Sequence, residues 1–142
     1  GLKVIADGAD SDRALLKSLG ADIIVSRGDG FADKIREHFP QGVDGLADGA
    51  LLNALAVDAV KDGGSFTAIR GFKGKDQRGI KFTATWVTGY DGAYEKLDLL
   101  REQVEAGVLT LRVAGSVPPE DAGHAHQRLE QGGTRGRMVI EF

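Results

Sequence analysis

The first side chain that could do chemistry is an acid at the end of an apolar run. Residues 2–6 are mostly apolar, the run ends at Asp7, and a helical pattern follows it. In a dinucleotide-binding unit, a carboxylate after the second strand accepts hydrogen bonds from the two hydroxyls of the adenosine ribose and repels a 2′-phosphate. Asp7 is therefore a candidate cofactor-binding residue that, considered alone, favours NAD. The simpler interpretation is that Asp7 begins a turn.

Two further apolar runs, at residues 43–46 and 66–69, are followed by turns that could contribute to a binding site. The carboxyl ends of parallel strands are where α/β proteins bind their ligands, and both turns come directly after a predicted strand. A simpler interpretation is that Asp48 caps a helix and Gly71 only turns the chain. The candidate residues in the two turns are Asp48, Gly49, Ile69, Arg70 and Gly71.

These candidates depend on a regular alternation of strand-like and helical patterns. Apolar side chains recur at helical spacing between short apolar runs, which is the βαβαβ order of a parallel sheet covered by helices on both faces. The sequence therefore predicts the α/β class. Strands are predicted at residues 2–6, 23–25, 43–46 and 66–69, and helices at residues 12–19, 31–39 and 50–60. After a polar loop at residues 71–75, the prediction continues with a strand at 80–87, a helix at 90–106, a strand at 108–114, a helix from Pro118 and a strand at 138–142.

The composition excludes several classes of function. The chain of 142 residues contains 18 basic and 21 acidic side chains, and its net charge of -3 gives no general attraction to nucleic acid or to an anionic membrane. Cysteine is absent from the sequence, which excludes disulfides, thiolate metal sites and thiol nucleophiles. No apolar run approaches the ~20 residues that span a bilayer. We therefore expect a cytoplasmic protein whose partners include neither nucleic acid nor membrane.

The histidines and the basic residues have ordinary structural explanations. His124 and His126 lie two positions apart on a predicted helix, so their side chains point about 200° apart and do not share one ligand. His38 stands alone, and no metal is expected. One basic and aromatic stretch could serve as a nucleic-acid surface, but the acidic balance favours a flexible active-site loop. This stretch contains Arg70, Phe72, Lys73, Lys75, Arg78, Lys81 and Phe82.

Several short segments, spaced along the whole chain, together resemble one known family. In order and spacing they are similar to the C-terminal part of a zinc-independent medium-chain dehydrogenase/reductase of the quinone oxidoreductase type. The segments are Val4-Ile5-Ala6, Leu19-Gly20-Ala21-Asp22, Gly42-Val43-Asp44-Gly45-Leu46-Ala47-Asp48, Asp62-Gly63-Gly64-Ser65-Phe66, Glu105-Ala106-Gly107-Val108-Leu109, and the ending from Ala125-His126 to Gly136-Arg137-Met138-Val139-Ile140.

The resemblance implies a partial Rossmann-type fold in two parts. Residues 1–107 would form a doubly wound parallel sheet that lacks its first strand and its glycine-rich turn. Residues 108–142 would form a strand-helix-strand tail that, in the family, returns to the substrate domain. In the strand order 3-2-1-4-5-6 the absent strand is central, so we expect a break between the strands at 2–6 and 43–46. Their unpaired edges would require another segment, a rearrangement or, most simply, a homo-oligomer.

The same resemblance extends the candidate cofactor site. Ser11, Arg13 and Arg27 lie at or near the loop positions where NADP-using relatives place phosphate-binding groups. Two guanidinium groups could outweigh the single acid at Asp7, because guanidinium matches the geometry of a phosphate. Arg137 aligns with a basic residue that approaches the cofactor phosphates in the family. The expected cofactor is NADP, with NAD possible, and the alternative interpretation of these arginines is solvated surface charge.

The function that the resemblance implies is an NAD(P)H-dependent oxidoreductase that reduces a quinone, an enone or a related carbonyl substrate by hydride transfer. The turns after the strands at 43–46 and 66–69 would line the nicotinamide half of the site, near Trp86. No residue is identified as catalytic. The isolated chain is expected to be inactive, because the glycine-rich turn that binds the pyrophosphate is absent. A different interpretation is an assembly or dimerisation module with a vestigial nucleotide site.

Overall fold

The computed structural model describes residues 1–75 and 77–142, and these residues form two units, Gly1–Asp91 and Gly92–Phe142. Strands and helices alternate in the first unit. Its strands are β1 (Ile5–Gly8), β2 (Ile23–Ser26), β3 (Val43–Asp48), β4 (Val60–Ile69) and β5 (Lys81–Thr85). Its helices are α1 (Arg13–Ser18), α2 (Phe31–His38) and α3 (Ala54–Val57), and short 3₁₀ turns lie at Asp10–Asp12 and Val87–Tyr90.

The strands of the first unit pair in parallel, but the sheet is interrupted. β1 pairs with β2, and β3, β4 and β5 pair in that order. Among the described residues, no strand pairs with the second edge of β1 or with the second edge of β3. The predicted α/β class, with a break in the parallel sheet, is therefore confirmed.

The two parts of the interrupted sheet share one apolar core. Val25 of β2, Ile35 of α2 and Ala59 are buried together. Ile5 of β1 and Val43 of β3 pack against them. Burial of apolar side chains therefore joins the two parts at a place where strand hydrogen bonds do not.

A second core is centred on β4. Phe66 is fully buried, and its ring centroid lies 5.6 Å from the ring centroids of both Phe72 and Phe82. Phe82 belongs to β5, whereas Phe72 comes from the polar loop at residues 71–75. Because aromatic contacts of this kind stabilise a core, Phe72 fixes the beginning of that loop to the sheet.

The helix predicted at residues 50–60 is wrong in length. α3 contains only Ala54–Val57, and β4 already begins at Val60. Residues 49–53 form a loop instead, in which Leu51 and Asn53 have positive φ angles of 61° and 52°. The backbone of this loop donates hydrogen bonds to the side chain of Asp48, and such local bonds compete with a helix.

The second unit contains a parallel strand pair. Its elements are α4 (Tyr94–Glu105), β6 (Val113–Val117), a 3₁₀ turn (Pro119–Asp121), α5 (Ala122–Glu130) and β7 (Arg137–Ile140), and β6 pairs with β7. The strand predicted at residues 108–114 begins later than expected. The backbone N–H groups of Val108 and Leu109 both donate to the carbonyl of Gln103, so these residues close the end of α4.

No helix formed by the described residues is long and apolar enough to cross a membrane.

Candidate functional site

Asp7 and Arg27 meet at the carboxyl end of the β1–β2 pair. Asp7 lies in β1, and Arg27 follows the last residue of β2. Nε of Arg27 donates a hydrogen bond to Oδ2 of Asp7 at 2.8 Å, and the two side chains are 62% and 25% exposed. The backbone N–H of Arg27 also donates to the carbonyl of Gly8. The acid and the arginine that the sequence predicts as cofactor contacts therefore form one ion pair.

Ser11 and Arg13 lie in the segment that follows β1. Ser11 is exposed within the 3₁₀ turn, and Arg13 is the first residue of α1. A terminal guanidinium nitrogen of Arg13 lies 3.4 Å from Oδ1 of Asp10. Exposed ion pairs contribute at most ~1 kcal/mol, so Arg13 and Arg27 could each exchange an acid for a phosphate at little cost.

Asp48 ends β3 and is only 4% exposed. Its Oδ1 accepts hydrogen bonds from the backbone N–H groups of Ala50 at 3.0 Å and Leu52 at 3.1 Å. Its Oδ2 accepts a hydrogen bond from the backbone N–H of Asn53 at 2.6 Å. Asp48 thus shapes the loop after β3, and a direct contact between its carboxylate and a cofactor stays a prediction.

Backbone and open space form much of the edge after β3 and β4. Apart from Gly49 itself and its two neighbours in the chain, no described residue has an atom within 4 Å of the position that a Cβ of Gly49 would occupy. Arg70 and Gly71 have positive φ angles of 59° and 78°, so the chain turns sharply after Ile69. A Cβ at Gly71 would overlap the six-membered ring of Trp86, so glycine is required for this contact as well as for the turn.

Trp86 directly follows β5. The sequence predicts its approximate position but not its main contact. The sequence predicts that it lies near this edge, but its contact with Gly71 depends on the register of β4 and β5. In that register Thr85 pairs with Ile69, which brings the residues after both strands together. Trp86 is 55% exposed although one side of its indole touches Gly71.

Arg137 lies in the second unit, where it begins β7 with an exposed side chain. Its backbone N–H donates to the carbonyl of Arg112 at 2.9 Å. In the same unit, Nδ1 of His124 lies 3.3 Å from Oδ1 of Asp121. Within the part of the chain that the structure describes, no group of three or more histidine, cysteine, aspartate or glutamate side chains could hold a metal ion.

The described residues of the basic and aromatic stretch, 70–75 and 77–82, contribute to the fold. Arg78 donates hydrogen bonds to the carbonyls of Val57 and Val60, and its Nε lies 3.5 Å from Oδ1 of Asp62. This guanidinium therefore holds the turn between α3 and β4. The two phenylalanines of the stretch pack in the core centred on β4.

The chain is similar to known proteins in sequence and in fold. The family described as zinc-binding dehydrogenase matches residues 19–140. No curated protein matches the chain. Among solved structures, a mycobacterial quinone oxidoreductase is 25% identical, with a TM-score of 0.74, over 97% of this chain and 48% of its own.

Two further solved structures have the same fold. A mycobacterial protein complexed with NADPH is 24% identical, with a TM-score of 0.75, over 99% of this chain and 50% of its own. An NAD-dependent alcohol dehydrogenase is 24% identical, with a TM-score of 0.75, over 99% of this chain and 44% of its own. The chain therefore spans about half the length of the solved structures that it matches.

Proposed function

This chain belongs to the zinc-binding dehydrogenase family, and we propose that it is the C-terminal part of an NAD(P)H-dependent oxidoreductase. The proposed reaction is hydride transfer to a quinone, an enone or a related carbonyl compound. Solved structures of similar fold include a quinone oxidoreductase, a complex with NADPH and an NAD-dependent alcohol dehydrogenase. The observation that carries the proposal is the make-up of the sheet edge, with exposed ion pairs after β1 and β2 and open backbone turns after β3 and β4.

The charged end of the edge fits the adenosine half of a dinucleotide. Asp7 would accept a hydrogen bond from a ribose hydroxyl, which is the role of an acid at this position of the fold. Arg27 neutralises that acid through Nε, and its planar guanidinium presents two further nitrogens that suit a phosphate. Because Ser11 and Arg13 lie in the adjacent segment, we propose NADP as the cofactor, with NAD as the alternative.

The open end of the edge fits the nicotinamide half. Gly49 leaves space above its turn, Asp48 holds that turn in shape, and the backbone of residues 69–71 borders the second turn. The cofactor supplies the hydride when it is bound, and these residues would bind, orient and shield it. Arg137 is proposed to approach the cofactor phosphates, and no residue is proposed as catalytic.

The remaining parts of the site are proposed to come from a longer protein. The chain spans about half the length of its structural relatives, and no described strand pairs with the second edge of β1 or of β3. A strand between them, followed by a glycine-rich turn, would complete the sheet and bind the pyrophosphate at a helix N-terminus. In this proposal residues 1–107 belong to the nucleotide-binding domain and residues 108–142 return to the substrate domain. The isolated chain would be inactive, and a cytoplasmic location stays a prediction.

The unpaired strand edges also support a second candidate function. Such edges promote association between chains. None of the described residues of α4 is buried, and Leu97 and Leu100 are 61% and 49% exposed. The chain would then be an assembly or dimerisation module with a vestigial nucleotide site, and a homo-oligomer is the proposed partner arrangement in either case.

Titration of the longer protein with NADPH and NADH separates the two functions. We expect a saturable change in tryptophan fluorescence that is lost in Trp86→Phe, because Trp86 lies at the nicotinamide end of the edge. Arg27→Ala should weaken the binding of NADPH, whereas Arg101→Ala, which removes an exposed arginine of α4, should not. The absence of a saturable change with either cofactor would favour the assembly module.

A further inference from the structure

Trp86 contacts the backbone at Gly71 and is nevertheless largely exposed. The six-membered ring of its indole rests on Gly71, and only a residue without Cβ permits this contact. The chain after Trp86 turns immediately, because the N–H of Gly89 donates to the carbonyl of Trp86 at 3.0 Å. The residue nevertheless remains more than half exposed. An aromatic ring fixed in this way is a preformed stacking surface.

Apolar side chains accompany Trp86 along this end of the edge. Ile69 ends β4 and is 44% exposed, and Leu51 in the loop after β3 is 39% exposed. Val87, next to Trp86, is also exposed. The end that follows β1 and β2 instead presents paired charges such as Asp7 and Arg27. Exposed apolar side chains grouped at a ligand edge are typical of a surface that binds an apolar molecule.

We propose that the exposed part of Trp86 stacks on the acceptor substrate, and that it thereby selects carbonyl compounds with a flat ring, such as quinones, over those whose ring is puckered by saturated carbons. This inference rests on the proposed function and narrows its substrate class. A flat ring can lie parallel to the indole, in contact with it across the ring, and it gains the attraction of offset aromatic stacking. A saturated ring of similar size is puckered. It therefore contacts less of the indole and gains no attraction from aromatic stacking.

Binding is tested without turnover, by fluorescence of the longer protein. The signal of Trp86 is the difference between the wild-type protein and Trp86→Phe. We expect 1,4-naphthoquinone to quench this signal saturably with an unchanged excited-state lifetime, as a stacked complex does. The saturated bicyclic ketone 1-decalone should leave it unchanged. Quenching that is linear in concentration and shortens the lifetime reports collisions only, and it would overturn the proposal.

A second titration identifies which flat ring Trp86 contacts. The nicotinamide ring of the cofactor has the same flat, conjugated chemistry as the proposed substrate. Reduced nicotinamide mononucleotide therefore forms the other arm of the experiment. If this compound quenches Trp86 saturably and 1,4-naphthoquinone does not, the indole contacts the cofactor and the substrate assignment is overturned.

Specificity is tested by kinetics with NADPH as the hydride donor. In Trp86→Leu we expect kcat/KM for 1,4-naphthoquinone to fall by about 3- to 10-fold relative to that for 2-cyclohexenone, mainly through KM. Trp86→Phe, which keeps a flat ring, should retain most of the preference. Leu55→Ala, which truncates an exposed apolar side chain of α3, should leave the ratio unchanged.

The outcomes distinguish this inference from the proposed function. If the wild-type protein neither binds nor oxidises NADPH or NADH, both the proposed function and the role of Trp86 are wrong. If the protein oxidises NADPH but Trp86→Leu has the same substrate ratio as wild type, only the role of Trp86 is overturned. Circular dichroism of Trp86→Leu, unchanged from wild type, shows that the variant is folded in either case.

Discussion

The two ends of the sheet edge use an acid at the end of a strand in opposite ways. Asp7, the second-to-last residue of β1, pairs with the side chain of Arg27 and is partly exposed. Asp48, at the end of β3, is buried and accepts three hydrogen bonds from the backbone that follows it. An acid in the first arrangement can exchange its partner for a ligand, whereas an acid in the second shapes the turn. What decides between the two is whether the next residues fold back over the carboxylate.

The largest effect expected from this comparison is on stability, at Asp48. Asp48→Ala would leave three backbone N–H groups without their acceptor, so we expect the free energy of unfolding to fall by about 3 kcal/mol. Asp7→Ala removes an exposed ion pair and should cost less than ~1 kcal/mol. Urea denaturation followed by circular dichroism measures both. Losses of equal size would show that the two acids do not differ in the way the structure indicates.

The second largest effect is also expected on stability, at Gly71. Gly71→Ala adds a strained φ angle and an overlap with Trp86, so we expect a loss of about 2 kcal/mol in the free energy of unfolding. The matched control is Gly63→Ala, because Gly63 has a similar φ of 71° and, beyond its two neighbours in the chain, no described residue has an atom within 4 Å of the Cβ position. The control should lose about 1 kcal/mol from backbone strain alone. If the two variants lose the same amount, Trp86 moves aside freely and the contact does not fix it.

Substitutions at the charged end of the edge, which follows β1 and β2, should change cofactor preference more than they change stability. Arg27→Ala removes a charged hydrogen-bond donor from the proposed phosphate site, so we expect the ratio of NADPH to NADH affinity to fall by about 10-fold. Asp7→Asn removes the charge that repels a 2′-phosphate and should shift the ratio in the opposite direction. Isothermal titration with both cofactors measures the ratio. If Arg27→Ala has the same ratio of NADPH to NADH affinity as wild type, Arg27 does not contact the cofactor.

The smallest effect is expected at the opposite end of β3, where Lys61 donates a hydrogen bond to Asp44. This hydrogen bond lowers the pKa of Asp44 below its usual value. Because the pKa is lower in the folded state, the stabilisation is present above the ordinary pKa of aspartate and is lost as the pH falls through the lowered value. We expect the difference in Tm between wild type and Lys61→Met to be small at neutral pH and to vanish in acid. A difference that grows in acid would contradict this pairing.

The order of elements was predictable because it follows from local patterns. α2 was expected from the helical spacing of Phe31 and Ile35, and it forms at the predicted place. The same reasoning failed for residues 50–60, where the apolar residues have helical spacing but the side chain of Asp48 binds the backbone. Periodicity reports which face an element would bury, and it contains no information on this competing set of hydrogen bonds.

The candidate site was predictable in position but not in contacts. Strand ends follow from where apolar runs stop, so Asp7 and Gly71 were identifiable from the sequence. The pairing of Asp7 with Arg27 requires that β1 and β2 lie side by side, and the contact of Gly71 with Trp86 requires the register of β4 and β5. These are long-range relations between segments, and a single sequence does not encode them in its spacing.

The unpaired edges of β1 and β3 have a kinetic consequence for how such a sheet is completed. A strand that enters between them would form hydrogen bonds on both of its sides, and half of that gain is lost if it docks on one side only. Completion would therefore be close to an all-or-none event, and it would be slow, because pairing with β3 joins segments that are distant along the chain. In such a protein the dinucleotide edge would come into existence in one late step of folding, and not gradually as the helices form.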